Sequence, residues 1–141
     1  MKEDKTWDSE YDVGLSNPES VYELCKKIGL AYSDREKIII FALDCKMNLI
    51  GFEEVAKGTL NKCVLVAKDI LKFLILCNAY GCVLAHNHVS QNTTPSEEDI
   101  GATEMLRTAL NSVGIVLMDH VVVGMYDYHS ICSEEVRNDY I

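Results

Sequence analysis

The sequence lacks the long apolar run of a membrane-spanning helix, since no hydrophobic stretch approaches the ~20 residues that cross a bilayer. It has only three Arg, and no segment concentrates basic residues into the face that a nucleic-acid-binding protein needs. No Cys-x-x-Cys pair occurs among its six Cys. A disulfide framework and a cysteine-rich metal site are therefore not expected.

The first ten residues are polar and carry charges of both signs, unlike a secretory signal or a transit peptide. Several Cys lie inside apolar runs, as in Leu76-Cys77 and Gly81-Cys82-Val83. Buried free thiols in a reducing compartment account for this pattern best. We therefore expect a cytoplasmic protein with no membrane partner.

The composition is that of one ordinary globular domain, with 141 residues of which 48% are hydrophobic and 25% are charged. The net charge of −9 is concentrated at the ends of the chain, with seven acids and two Lys in residues 1–23 and four acids and one Arg in 127–141. The segment between is nearly neutral. This distribution predicts a flexible acidic leader over 1–16, a domain over 17–141 and no strong nucleic-acid binding by this chain alone.

Helices and strands alternate along the chain. Asn17-Pro18 is typical of a helix start, and that helix is expected to end near Ile28 before Gly29. The β-branched and apolar patterns then predict strands at 36–44, 49–56, 62–66, 82–85, 115–123 and 126–132, with Gly58-Thr59 as a break. Helical spacing of apolar residues predicts helices at 68–79 and from a Thr94-Pro95-Ser96-Glu97 capping box to about 112. The predicted fold is α/β, a single-domain mixed β-sheet flanked by helices.

One polar constellation stands out against this background. His86 and His88 are two residues apart where an apolar strand ends, so an extended backbone places both imidazoles on one face. Ser96 and Asp99 share a face at the start of the next helix, and Asp99 continues into its apolar stripe. Two imidazoles and a carboxylate are ligands that Zn²⁺ accepts, and three protein ligands leave a fourth position for water. The pattern therefore predicts a catalytic zinc site, although taken separately the two His could be ordinary surface residues and Ser96 a helix-terminal residue.

The motif His-x-His, seven residues, Ser, two residues, Asp resembles the signature of the JAMM (MPN+, JAB) metallopeptidases. The RadC-type branch is more similar, because its members also carry Pro-Ser before the Asp and a later Asp-His pair. Here these positions are Pro95-Ser96, Asp99 and Asp119-His120, while Lys57-Gly58-Thr59-Leu60, Gly124, Tyr128 and Ser130 match further family segments. The loop departs from the family's usual Pro and Gly at Val89 and Gln91. The resemblance implies a JAB/MPN fold related to the cytidine deaminases.

The resemblance also implies a general-base Glu on an upstream strand. Glu53 and Glu54 are the candidates, and neighbours in a strand point to opposite faces, so only one can face the metal. The family's spacing before Gly58 favours Glu53. Asp119 and His120 are either a second shell that orients the ligands or a polar pair satisfied at a sheet edge or by backbone.

The expected activity is hydrolysis of a peptide or isopeptide bond in a peptide or protein substrate. Glu53 would move the proton and Ser96 would donate a hydrogen bond to the oxyanion. The alternative is a non-catalytic, metal-stabilised accessory protein linked to DNA repair or mobile-element recombination, as the naming of longer RadC proteins suggests.

Overall fold

Five strands form one mixed sheet in the computed structural model, which describes residues 13–57 and 63–132. The strands are β1 (Lys37–Leu43), β2 (Leu49–Lys57), β3 (Gly81–Asn87), β4 (Val116–Val123) and β5 (Tyr128–Ser130), in the spatial order β2-β1-β3-β4-β5. Only β3 and β4 pair in parallel within this sheet. The helices are α1 (Pro18–Lys27), α2 (Cys63–Leu76) and α3 (Glu97–Asn111), with a short 3₁₀ helix at Leu30–Tyr32. The predicted α/β class and mixed sheet are confirmed.

The sheet has a hydrophobic core on each face. Ile39 and Phe41 of β1 pack into the core that α1 covers, whereas Ile38 and Ile40 pack into the core of α2 and α3. Both cores are needed because successive side chains of a strand point to opposite faces. The continuous apolar run of β1 therefore reflects a central strand buried on both sides.

The helix start at Asn17-Pro18 is confirmed. Asn17 Oδ1 accepts the backbone N–H of Ser20 at 2.8 Å, and Pro18 occupies the first helical position. After the helix, Gly29 has φ of 93°, a left-handed conformation that glycine adopts without steric cost.

The predicted leader over 1–16 is too long at its C-terminal end. Leu15 is fully buried in the core under α1, and its N–H donates to Met47 O at 2.8 Å. Val13 O accepts the N–H of Leu49 at 2.9 Å, so this segment runs beside the β1–β2 hairpin. Burial of the Leu15 side chain stabilises the packing of this segment against the domain, although the neighbouring residues in the sequence are mostly polar. Residues 1–12 and 133–141, which the predicted leader and domain include, lie outside the described residues.

The predicted strand over 62–66 is wrong, because Cys63 already begins α2. A short apolar run fits a buried helix as well as a strand, and here the run continues into the helical stripe that ends with buried Ile70 and Leu74. The predicted break at Gly58-Thr59 lies outside the described residues.

The predicted capping box is shifted by two residues. Ser96, rather than Thr94, is the N-cap of α3: its Oγ accepts the N–H of Asp99 at 3.0 Å, while Asp99 Oδ2 accepts the N–H of Ser96 at 2.8 Å. Asp99 therefore lies in the first turn of the helix. Its carboxylate is held both by a backbone donor and by the positive end of the helix dipole.

Within the described residues, no helix combines the length and the apolarity needed to cross a membrane.

Candidate metal centre

The two imidazoles stand at the carboxyl end of β3, in the middle of the sheet. His86 lies opposite Ile38 of β1 and Val122 of β4, so the strand predicted to end at residue 85 continues through Asn87. The backbone N–H of His88 donates to Val123 O at 3.2 Å, which fixes the backbone where the chain leaves the sheet. The central position leaves His86 only 3% exposed.

Asn87 separates the two His and has a structural task of its own. Its Oδ1 accepts the N–H of Lys37 at 2.8 Å, and its Nδ2 donates to Arg35 O at 2.9 Å. The side chain thereby fastens the segment entering β1 to the end of β3. This arrangement fixes the backbone between the two imidazoles.

His86, His88 and Asp99 come together as the sequence spacing predicts. One ligand atom from each lies within 4.8 Å of the others. His86 Nε2 is 3.3 Å from Asp99 Oδ1, and His88 Nε2 is 3.1 Å from Asp99 Oδ2. The start of α3 thus presents its carboxylate to the end of β3, in a group that could hold a metal ion.

The hydrogen bonds of the imidazoles fit them for metal binding. His88 Nδ1 is 2.7 Å from Asn92 O, and because a carbonyl only accepts, Nδ1 carries the proton. In the neutral imidazole, the form that binds metals, the Nε2 lone pair then faces Asp99. At metal-binding His residues, the ring nitrogen that does not bind the metal usually donates a hydrogen bond to a protein group.

His86 is neutral at pH 7. Burial lowers its pKa to about 4, against a smaller opposing effect of Asp99 and with a further lowering by His88. Its 3.3 Å contact with Asp99 is therefore not an ion pair at neutral pH, despite the short distance. If Nε2 of His86 bears no proton, its lone pair faces the carboxylate oxygen of Asp99. A cation between the two atoms would stabilise this arrangement. The donor set fits a divalent metal ion.

His120 and Asp119 are neighbours in β4, so their side chains point to opposite faces of the sheet, and both are fully buried. His120 Nε2 lies 2.9 Å from His86 Nδ1, so this residue contacts a candidate ligand. Asp119 accepts hydrogen bonds from Ser130 Oγ, from the backbone N–H of His120 at 2.7 Å and from the backbone N–H of Cys132 at 3.0 Å. Asp119 thereby ties β5 and the turn after it to β4, a structural role.

Ser96, which the sequence predicts to donate to the oxyanion, is the N-cap of α3. Because its Oγ accepts the N–H of Asp99, the hydroxyl proton is left to donate elsewhere. The residue is half-buried beside the carboxylate of Asp99.

The two candidate bases lie outside this cluster. In the described part of the chain, the group of possible metal ligands within 4.8 Å of one another contains neither Glu53 nor Glu54. Both side chains are exposed on β2, with Glu53 opposite Ile40 and Glu54 opposite Ile39. Ile40 belongs to the core of the face that carries His86, so the register puts Glu53 on that face and Glu54 on the other.

Thr103 is a residue of the site that the sequence pattern did not single out. Its Oγ1 lies 2.7 Å from Asp99 O and 2.7 Å from His120 Nδ1. The available signal was its place one turn after Asp99 on the apolar stripe. A β-branched hydroxyl residue there is easily taken for packing alone.

Comparison with known proteins places the chain in a family. The family model described as "RadC-like JAB domain" matches residues 15–136. A UPF0758 protein of Actinobacillus pleuropneumoniae (serotype 5b, strain L20) is 39% identical over 114 residues, which are 81% of this chain and 52% of that protein. The UPF0758 protein of Thermotoga maritima is 35% identical over 120 residues, or 85% of this chain and 53% of its own length.

The chain thus spans about half the length of the curated relatives that it matches. The family model covers most of the sequence and includes every residue of the cluster. On these grounds the chain belongs to the RadC-like JAB domain family.

Proposed function

We propose that this protein is a zinc-dependent hydrolase that cleaves an amide bond, peptide or isopeptide, in a peptide or protein substrate. The observation that carries the proposal is the convergence of His86 Nε2, His88 Nε2 and the Asp99 carboxylate. Two imidazoles and one carboxylate leave a tetrahedral ion with one open position, which distinguishes catalytic from structural zinc sites. When bound, zinc supplies an activated water and a Lewis acid for the carbonyl oxygen.

In this proposal Glu53 is the general base. It accepts the proton of the water whose oxygen bonds to the carbonyl carbon, and it returns the proton to the amine nitrogen as the C–N bond breaks. The strand register supports Glu53 over Glu54, because Glu53 shares the sheet face of His86. Glu53, like Glu54, also lines a cavity of about 650 Å³ between β2 and α2, beside Asp69 and Lys72, so the cavity itself does not separate the two acids.

Ser96 is proposed to stabilise the oxyanion. Its Oγ is fixed by the N–H of Asp99, and its remaining proton is free to donate to the carbonyl oxygen as that oxygen becomes negative. Loss of one such donor typically costs about 10²–10³ in rate.

The cellular setting is proposed to be the cytoplasm. Cys25 and Cys82 are buried free thiols, and Cys45 is an exposed one. Free thiols persist where the environment is reducing.

The test is a peptide and isopeptide library assayed with zinc, with chelator, and with paired variants. Glu53→Gln should retain zinc and lose about 10²–10⁴-fold in rate, whereas Glu54→Gln is the matched control and should be nearly silent. If the effects are exchanged, the assignment of the base is wrong but the mechanism holds. If the zinc-loaded protein cleaves no member of either library, the accessory-protein alternative takes the place of this proposal.

A further inference from the structure

A row of buried polar groups runs behind His86, at the side of its ring that faces away from the Asp99 carboxylate. It starts at the backbone carbonyl of Asp99, passes through Thr103 Oγ1 and the ring of His120, and ends at His86 Nδ1. Thr103 is 1% exposed and His120 is fully buried. No buried side-chain nitrogen or oxygen in the described part of the chain lacks a hydrogen-bond partner, so this row is completely satisfied.

The direction of each hydrogen bond follows from its fixed end. The carbonyl of Asp99 can only accept, so the hydroxyl proton of Thr103 points to it across 2.7 Å. The Oγ1 lone pair that remains accepts the proton on His120 Nδ1, also at 2.7 Å. A neutral imidazole carries one proton, so His120 Nε2 accepts from Nδ1 of His86 at 2.9 Å.

We propose that Thr103 and His120 are positioning residues that hold His86 in its Nδ1–H tautomer and so keep its Nε2 lone pair directed at the metal site. The inference rests on the proposed zinc site but concerns groups that touch neither the metal nor the substrate. The single hydroxyl of Thr103 sets the direction of the row. Without it, His120 is free to carry its proton on Nε2, which points at His86 and favours the unproductive tautomer.

Simple packing does not account for these two residues. An apolar pair would fill the same volume without burying two ring nitrogens and a hydroxyl, whose desolvation has to be offset by hydrogen bonds. The row also joins α3 to β4 and β3, so one proton arrangement links all three elements that surround the site.

The first test reads the tautomers directly in the metal-free protein. Long-range ¹H–¹⁵N NMR spectra of the imidazoles distinguish Nδ1–H from Nε2–H. The wild type should show the Nδ1–H form at both His86 and His120. An Nε2–H form at His86 in the wild type overturns the proposal, whatever the protein's catalytic activity.

The second test is the pair Thr103→Val and Thr103→Ser. The Val variant keeps the shape but removes the hydroxyl, so it should increase the Nε2–H form of both rings and weaken zinc binding about 10–100-fold in competition with a chelator. The Ser variant keeps the hydroxyl and should retain the wild-type tautomers and affinity. Unchanged tautomers and affinity in Thr103→Val would overturn the proposal.

His120→Gln and His120→Leu keep the proposal testable if Thr103→Val does not fold. The Gln side chain can place its carbonyl oxygen where Nε2 lies and accept from His86, whereas Leu cannot. Zinc affinity should therefore be largely retained in Gln and lost in Leu, and equal affinities in the two variants contradict the proposal. Failure of the proposed hydrolysis leaves all of these readouts intact, so the two failures are distinguishable.

Discussion

Replacing Asp99 by Asn should separate metal binding from folding. In the metal-free protein, Asp99 Oδ1 faces His86 Nε2 at 3.3 Å, and at neutral pH that nitrogen has no proton to donate. An Asn amide can turn its nitrogen to this position and donate to the imidazole. Its oxygen then takes the place of Oδ2, which accepts the N–H of Ser96 at 2.8 Å.

The expected change in stability follows from these contacts. The new hydrogen bond to His86 contributes about 1 kcal/mol. Loss of the negative charge at the start of α3 costs about 0.3–1 kcal/mol. The two nearly cancel, so the metal-free variant should unfold within about 1 kcal/mol of the wild type.

The stabilisation by zinc, in contrast to the stability of the metal-free protein, should change strongly in Asp99→Asn. At a free zinc concentration of 100 times Kd, binding stabilises a folded protein by about 2.7 kcal/mol. For a domain of this size, that raises the wild-type Tm by about 10 °C. Asp99→Asn replaces an anionic ligand by a weak neutral one, so most of that increase should disappear.

Thermal unfolding in EDTA and in buffered zinc measures both quantities. Glu98→Gln is the matched control, because it removes an exposed negative charge from the same turn and should keep the full zinc-induced shift. A full shift in Asp99→Asn would refute the ligand assignment. A loss of more than about 3 kcal/mol in EDTA would show that the carboxylate pairs with a protonated imidazole, contrary to the proton assignment.

Three further outcomes are expected. Burial lowers the pKa of His86 to about 4 and that of His120 well below its usual value, so the unfolded chain binds more protons below about pH 6.5. The Tm in EDTA should therefore fall as pH decreases from 7.5 to 5.5, and a flat or rising profile would contradict those pKa values. Burial raises the pKa of the Cys25 and Cys82 thiols, so a thiol reagent should label exposed Cys45 in the native protein and reach the other two only on unfolding; rapid native labelling of either would count against the core described here. Because residues 24–126 are nearly neutral, the chain alone should not bind DNA tightly, and a sub-micromolar Kd at physiological salt in a gel-shift titration would disprove this.

Local patterns in the sequence predict much of this molecule. The period of two in a strand is enough to put His86 and His88 on one side and to divide Glu53 from Glu54. Asn17-Pro18 fixes a helix start through a cap and a preset φ, both of which act within one turn. These features depend on neighbours in the chain, so no tertiary contact is needed to infer them.

Long-range contacts decide the rest. The burial of Leu15 depends on α1 and the β1–β2 hairpin, which a polar N-terminal composition does not reveal. The helical start at Cys63 is likewise invisible in a short apolar run that suits either a helix or a strand. Which Glu shares the face of His86 depends on how β2 and β3 pair with β1, not on the spacing of the two acids.

The candidate metal centre shows the same division most clearly. The sequence by itself determined the candidate ligand set, because His-x-His at a strand end and Asp at a helix start carry the chemistry in their types and spacing. Only the tertiary structure decided what supports those ligands. Parallel pairing of β3 with β4 places His120 against His86, and the packing of α3 on the sheet places Thr103 against His120. A proton arrangement shared by residues 34 and 17 positions apart has no local signature, since it exists only when the strands and the helix have met.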